Sequence, residues 1–260
     1  MLCLTFVVPV RGRLSLASIC LRQLRRTCDA LTEAGIEASA VVVCDPDGHD
    51  RDVLRPFDSF GFGEVISRYD FTSWKYNDGI QLATDPSFND SPADFVVPFG
   101  SDDWADHRIF LEPLPGPNEV QGFQHLSLVS EDASEIATTF WNSEGGCGIR
   151  IIPRQLLEPL GYRPCDEDRR DGCDTSILCN LKAHHGSSLK VKHMHLHSRQ
   201  IVDWKSPGAQ LHSYRDVTSI RRSEAVPDPF GVLAEFYPVE ALEEMQRHYE
   251  ISRENAEVAA

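Results

Sequence analysis

Ala93-Asp94-Phe95-Val96-Val97-Pro98-Phe99-Gly100-Ser101-Asp102-Asp103-Trp104 is an apolar run that stops abruptly at two adjacent carboxylates. A short apolar run bounded by turn formers reads as a buried central strand of an α/β sheet, and ligands of such sheets bind beyond the carboxyl ends of strands. Asp102 and Asp103 are thereby expected at a cleft. Side by side, two carboxylates repel unless a cation or a dense set of donors holds them, and hard oxygen ligands suit Mg²⁺ or Mn²⁺. The same stretch taken alone also fits a solvated Asp-Asp turn, because Asp is a common turn residue.

Upstream, Leu2 to Val10 is apolar and β-branched, a first strand buried on both faces, and Pro9-Val10-Arg11-Gly12-Arg13 follows it. Ile19, Leu24, Cys28, Leu31 and Ala34 recur at helical spacing before Gly35 stops the helix. Ala38 to Cys44 reads as a second buried strand ending in the turn Asp45-Pro46-Asp47-Gly48. Strand, helix and strand make a right-handed βαβ unit. Val65-Ile66-Ser67 reads as a short third strand, Trp74 to Ala83 as a helix, and Asp85 to Pro92 as the loop into the central strand. Arg11, Asp45 and Asp102 then stand at strand ends that point the same way.

Downstream, Val120 to Val129 and Ile136 to Trp141 read as strands, the Gly-rich Glu144 to Gly148 as a hinge, and Ile149 to Pro153 as a short strand. A helix runs through Ile177, Leu178 and Leu181. Leu189, Val191, His193, His195 and His197 alternate with Lys190, Lys192, Met194 and Leu196, which puts three histidines on one strand face. Val239, Leu242, Met245 and Tyr249 form an apolar stripe on a C-terminal helix, expected to dock on the chain or to make an oligomer contact.

Composition narrows the class. A chain of 260 residues can bury one sizeable core. We divide it into a single domain over residues 1–235, with a first half at 1–104 and a second at 105–235, and a C-terminal helix at 236–260. The balance of 25 Lys+Arg against 40 Asp+Glu, net −15, disfavours a dedicated binder of nucleic acid or anionic membrane. No apolar stretch is long enough to span a bilayer, and the N-terminus lacks signal-peptide features, so a cytoplasmic location is expected. Eight scattered cysteines without a Cys-x-x-Cys pair are expected to be free thiols.

The ordered motifs PVRGR, VVVCDPDG, KYNDGIQLA and DFVVPFGSDDW resemble the nucleotide-sugar half of a GT-A glycosyltransferase, closest to the family-two enzymes. Gly146 to Gly161 resembles that family's acceptor-side strand and helix, so the likeness extends from about Leu4 to His197. It implies an α/β, Rossmann-like fold with a mixed central sheet flanked by helices. It further implies a nucleotide-diphosphate sugar as donor, with UDP as the nucleotide, and a divalent metal, Mn²⁺ or Mg²⁺. One departure stands out: the family's aspartate-x-aspartate motif is met by Gly100-Ser101-Asp102, so the first carboxylate is missing.

Carried onto this chain, the resemblance assigns donor binding to Pro9, Arg11, Arg13, Asp45, Lys75, Asn77, Ser101, Asp102 and Lys205. Asp45 would accept from the imide of the base, the arginines would fork onto the diphosphate, and Lys205 would be brought by a closing loop to the leaving group. Metal ligation falls to Asp102, with His197 or His195 returning to the ion. The general base is assigned to Asp174, in the first turn of a helix that Asp171 would cap, with Glu167 and Asp168 as rivals. Each has a plainer alternative: turn-capping for Asp45, surface solvation for Arg13 and Lys205, a half-exposed strand face for the histidines, helix-start stability for Asp174, and core packing for most of the tryptophans.

The resulting expectation is a metal-dependent, inverting glycosyltransferase, hexosyl or pentosyl, with an acceptor hydroxyl that the sequence leaves open among a glycan, a protein, a small metabolite and a hydroxylated nucleobase. Nucleic acid enters only as such an acceptor, although Arg150, Arg154, Arg163, Arg169 and Arg170 collect on the second half. Two alternatives stand beside it. A nucleotidyltransferase making nucleotide sugars would carry a longer Gly-rich loop than Arg11-Gly12-Arg13. A non-catalytic nucleotide-sugar-binding protein would account for the missing first carboxylate.

Overall fold

A strand that is apolar at nearly every position can be covered on both faces, and β1 (Leu2–Pro9), with Thr5 as its polar exception, sits at such a place. The computed structural model describes residues 2–10, 12–47, 63–87, 90–140, 148–169, 172–194, 199–205 and 224–259. β1 pairs in parallel with β2 (Ile36–Cys44) on one side and β4 (Phe95–Pro98) on the other, and β3 (Gly63–Ile66) continues the parallel set beyond β2. β9 (Arg150–Pro153) is antiparallel to both β4 and β6 (Glu119–Phe123), and β10 (Lys190–Met194) closes the edge parallel to β6. The seven strands run in the order β10-β6-β9-β4-β1-β2-β3.

Side-chain alternation along β1 divides the core. Leu4, Phe6 and Val8 face α1 (Leu14–Glu33), packing on Ala17, Leu21, Leu24 and Cys28. Val7 faces the other way, toward Ile80 and Ala83 of α2 (Thr72–Thr84) and Ile177 and Leu181 of α4 (Cys173–His185), with α3 (Arg154–Leu157) alongside. α1 ends before Gly35, whose φ of 90° is the left-handed conformation a glycine adopts freely.

The stretch read as one strand from Val120 to Val129 is two strands in two sheets. β6 stops at Phe123, and after Gln124 the chain enters β7 (His125–Val129) of a second sheet. That sheet has the order β12-β8-β7-β11-β5, formed with β5 (Asp103–Ala105), β8 (Glu135–Phe140), β11 (Ile201–Trp204) and β12 (Glu224–Pro227). Both halves mix apolar and polar residues in the same way, so hydropathy alone could not show the break. α5 (Pro229–Leu233) and α6 (Val239–Ala259) cover this sheet's side of α1, where Ala241, Leu242, Met245 and Tyr249 pack with Leu16, Ile19, Cys20 and Trp204. The C-terminal helix is thus docked on its own chain. None of the seven described cysteines forms a disulfide, and Cys147 lies outside the described residues. No helix among the described residues is long and apolar enough to cross a membrane.

Candidate active site

Because β1, β2 and β4 are parallel neighbours, their carboxyl ends lie along one edge of the sheet. That edge therefore gathers Pro9, Asp45 just after β2, and the Phe99–Asp102 turn after β4. Arg11 lies outside the described residues. Arg13 is in the left-handed region at φ 47° and is the N-cap of α1, without a side-chain cap on the helix. Its guanidinium reaches across the edge, Nη1 donating to Asp102 Oδ2 at 2.8 Å. Burial lowers the Arg13 pKa, but the charge of Asp102 and its hydrogen bond outweigh that, and the net shift is upward.

Lys75 was expected to touch the nucleotide, and the structure instead buries it. Its ammonium is enclosed at the start of α2, donating to the carbonyl of Val10 at 2.6 Å and to the carboxylate of Asp45. Stripping one partner from a buried ion pair costs ~3–5 kcal/mol, so Lys75 fixes Asp45 and the end of β1 in mutual position. Asn77 is likewise buried. Its Oδ1 accepts from Cys165 N at 2.8 Å and its Nδ2 donates to Cys165 O at 3.0 Å, a clasp joining α2 to the segment before α4. The helix expected around Asn77 is present, and it turns this side chain inward.

The acidic motif opens into a cluster. Asp102 follows β4, while Asp103 is the first residue of β5, a strand of the second sheet. β5 pairs with β11 in antiparallel register, Asp103 opposite Asp203. One carboxylate oxygen from each of Asp102, Asp103 and Asp203 lies within 4.8 Å of the others. Asp103 Oδ2 accepts from the Gly100 amide at 2.9 Å, and Asp203 Oδ2 accepts from the ammonium of Lys205. Burial, then the neighbouring charges of Asp203 and Asp102, push the Asp103 carboxyl well up. Burial raises Asp203 as well, against the opposing pull of Lys205. Asp203 Oδ1 is buried with no hydrogen-bond partner among the described residues. An unpaired buried carboxylate oxygen beside two more carboxylates is a donor set that fits a hard divalent cation.

Lys205 was assigned to a closing loop. At Lys205 itself the backbone is anchored, its N–H donating to Val129 O at 3.3 Å and its carbonyl accepting from the Tyr249 hydroxyl of α6. The side chain is buried against Asp203. Burial lowers its pKa, and the carboxylates of Asp203, Asp102 and Asp103 more than restore it. Ser101 is buried in the turn between β4 and β5. His195 and His197 lie outside the described residues; His193 is half-buried on β10.

In the second half of the chain, Asp174 stands in the first turn of α4. The N-cap is Gly172 at φ 59°, with no side-chain cap, so the expected cap by Asp171 is replaced by a glycine in the left-handed conformation. Asp174 keeps 37% of its side chain exposed and faces the buried guanidinium of Arg150 on β9 at 3.5 Å. Tyr76 of α2 lies in the field of both Asp103 and Asp174; burial, then the negative groups around it, hold its phenol well above the usual range and neutral. Of the rivals, Asp168 accepts from Trp74 Nε1 at 3.4 Å and Glu167 is exposed. Three arginines of the second half meet acids within the chain: Arg150 faces Asp174, Arg163 binds Asp78 at 2.9 Å and lies over the Trp74 ring, and Arg169 pairs with Asp166, while Arg170 lies outside the described residues. Trp104 and Trp204 are core residues packed edge to face.

Asp203 and Arg150 are the two members of this site whose roles the sequence reading missed. The available signal for Asp203 was a lone acid inside the apolar run Ile201-Val202-Asp203-Trp204; its partner across the strands could not be seen.

No known family profile matches the chain, and no curated protein sequence matches it significantly. Among solved structures, S. aureus TarS 1-349 in complex with UDP-GlcNAc aligns over 98% of this chain and 74% of that one, with TM-score 0.52 and 14% identity. Glucosyl-3-phosphoglycerate synthase from Mycobacterium tuberculosis, in complex with Mn²⁺, UDP and glucosyl-3-phosphoglycerate, aligns over 87% of this chain and 81% of that one, with TM-score 0.50 and 14% identity. The fold is GT-A. The catalytic domain of Drosophila beta1,4-galactosyltransferase 7 also aligns, over 74% of this chain at 13% identity and TM-score 0.44, and this chain spans 65% of that domain's length.

Proposed function

We propose that this chain is a metal-dependent glycosyltransferase that moves a sugar from a UDP-sugar to an acceptor hydroxyl with inversion. The observation that carries the reading is the convergence, on one edge of a GT-A sheet, of Asp45, Arg13 and a three-carboxylate cluster. Asp45, pinned by Lys75, accepts from the imide of the base. Arg13 and the uncapped N-terminus of α1 receive the diphosphate, a fork of donors beside the positive end of a helix. Mn²⁺ or Mg²⁺ would be held chiefly by Asp102 within the acid cluster, and supplies neutralisation of the charge that develops on the leaving diphosphate. Asp174 takes the proton of the acceptor hydroxyl, with Arg150 behind it. Attack from the face opposite the diphosphate inverts the anomeric centre.

A thermal-shift series with UDP, GDP, CDP and ADP, with and without Mn²⁺, tests the donor assignment. UDP with Mn²⁺ is expected to give the largest rise in Tm, and Asp45→Ala to remove it. An Asp45→Ala protein that binds every nucleotide as wild type does would refute the base pocket. Incubation with UDP-sugars then separates the alternatives: UDP release that EDTA abolishes marks the transferase, pyrophosphate release from UTP and a sugar phosphate marks a nucleotidyltransferase, and binding without turnover marks a binding protein.

A further inference from the structure

We infer that Asp203, delivered by a strand of the second sheet, takes the place of the carboxylate missing from position 100 in the metal site, and that Gly100 is glycine because Asp103 has filled its space. The inference rests on the metal-dependent reading above. Gly100 is not among the residues with positive φ, so its backbone does not call for glycine. Space does. A Cβ at Gly100 would lie 2.5 Å from Asp103 Oδ2, 2.9 Å from Asp103 Cγ and 3.1 Å from Asp102 Oδ1. The first two separations are shorter than real Cβ atoms show, and the obstacle is a carboxylate held in place by the Gly100 amide at 2.9 Å. An aspartate at position 100, as in the family motif, is therefore incompatible with Asp103 as it stands.

Asp203 supplies what is lost. Strand pairing sets it opposite Asp103, and its carboxylate comes within 4.8 Å of those of Asp102 and Asp103. One oxygen is taken by Lys205, while Oδ1 is buried with no partner among the described residues. Leaving a buried charged oxygen unpaired is costly, and a cation at the cluster removes that cost. Arg13 on Asp102 and Lys205 on Asp203 place two positive charges around three carboxylates, which leaves the cluster one negative charge in excess if all are ionised. A divalent ion with hard-oxygen preference matches that geometry and sign.

The test is binding of Mn²⁺ alone, without nucleotide or turnover, by calorimetry and by the EPR signal of free Mn²⁺. Wild type, Asp203→Asn, Gly100→Asp and the double variant are compared, with circular dichroism to check the fold. Asp203→Asn is near-isosteric and is expected to weaken Mn²⁺ by more than ~10-fold, the loss that removing even a supporting group produces at metal sites. Gly100→Asp, although it restores the family motif, is expected to weaken binding too, and to give no recovery in the double variant. If Asp203→Asn misfolds, Asp203→Ser poses the same question. Wild-type affinity in Asp203→Asn, or recovery in the double variant, overturns the inference alone. Absence of Mn²⁺ uptake by wild type overturns it together with the metal-dependent reading.

Discussion

Asp174 and Arg150 meet at the amino end of α4, one half-exposed and the other almost wholly buried, and this asymmetry shapes what each can do. A proton acceptor must be reachable by the acceptor hydroxyl, while the group that orients it is best kept out of solvent. Asp174→Asn is expected to keep the fold and UDP affinity while sugar transfer falls ~10²–10⁴-fold, read as kcat for transfer against donor Kd. Transfer near the wild-type rate in that variant, with Glu167→Gln or Asp168→Asn inactive instead, would move the base upstream. Asp168 is the less suited of those two, since its carboxylate already accepts from Trp74.

α2 shows how an element positions Asp45 from inside the core. Gly79 lets the helix lie so close to the sheet that a Cβ there would stand 2.5 Å from Val7 Cγ1 and 2.7 Å from Val43 Cγ2. Two effects oppose each other in Gly79→Ala. Helix propensity favours alanine by ~1 kcal/mol, while overpacking a tight interface costs ~1–3 kcal/mol. Both obstructing atoms are core valines, so packing is expected to win and the urea midpoint to fall. UDP affinity should fall with it, because Lys75 rides on the same helix and its bonds to Val10 and Asp45 span that interface. A more stable Gly79→Ala would show that the helix can lift away freely.

Across the whole molecule, the C-terminal helix α6 closes the back of the acid cluster. Tyr249 donates to the carbonyl of Lys205, so the helix is tied to the strand end that bears Asp203 and Lys205. Next to it, His248 is half-buried on α6, and burial lowers its pKa below the ordinary value. The sign of the effect follows from linkage. Below the ordinary histidine pKa the unfolded chain takes up a proton that the folded chain resists, so this contribution to stability is lost as pH falls from there toward the depressed value. Tm is therefore expected to drop between about pH 7 and about pH 5, and His248→Gln to lessen the drop. An unchanged pH profile in His248→Gln would mean that the docked helix does not oppose protonation at this position.

Much of the architecture was legible in the sequence because it is written in local pattern. The apolar runs at Leu2–Pro9, Ile36–Cys44 and Phe95–Pro98, the helical spacing of α1 and α2, and the turn at Asp45 are all short-range features, and parallel strands joined by a helix must place their ends on one edge. That much determined the parallel strands and the meeting of Asp45 and Asp102 at their rim, and the motif resemblance added the GT-A form. Tertiary structure alone decided the rest, because it depends on which strands pair. The break at Gln124 sends one continuous stretch into two sheets, and only the β5–β11 register brings Asp203 across to Asp103, a hundred residues away in the chain. Lys75 and Asn77 were singled out by the motif resemblance, but a motif cannot tell the face of a helix that meets ligand from the face that meets Asp45 or Cys165. Local sequence sets the conformation of each segment; the partner of a charge is set by packing between segments far apart.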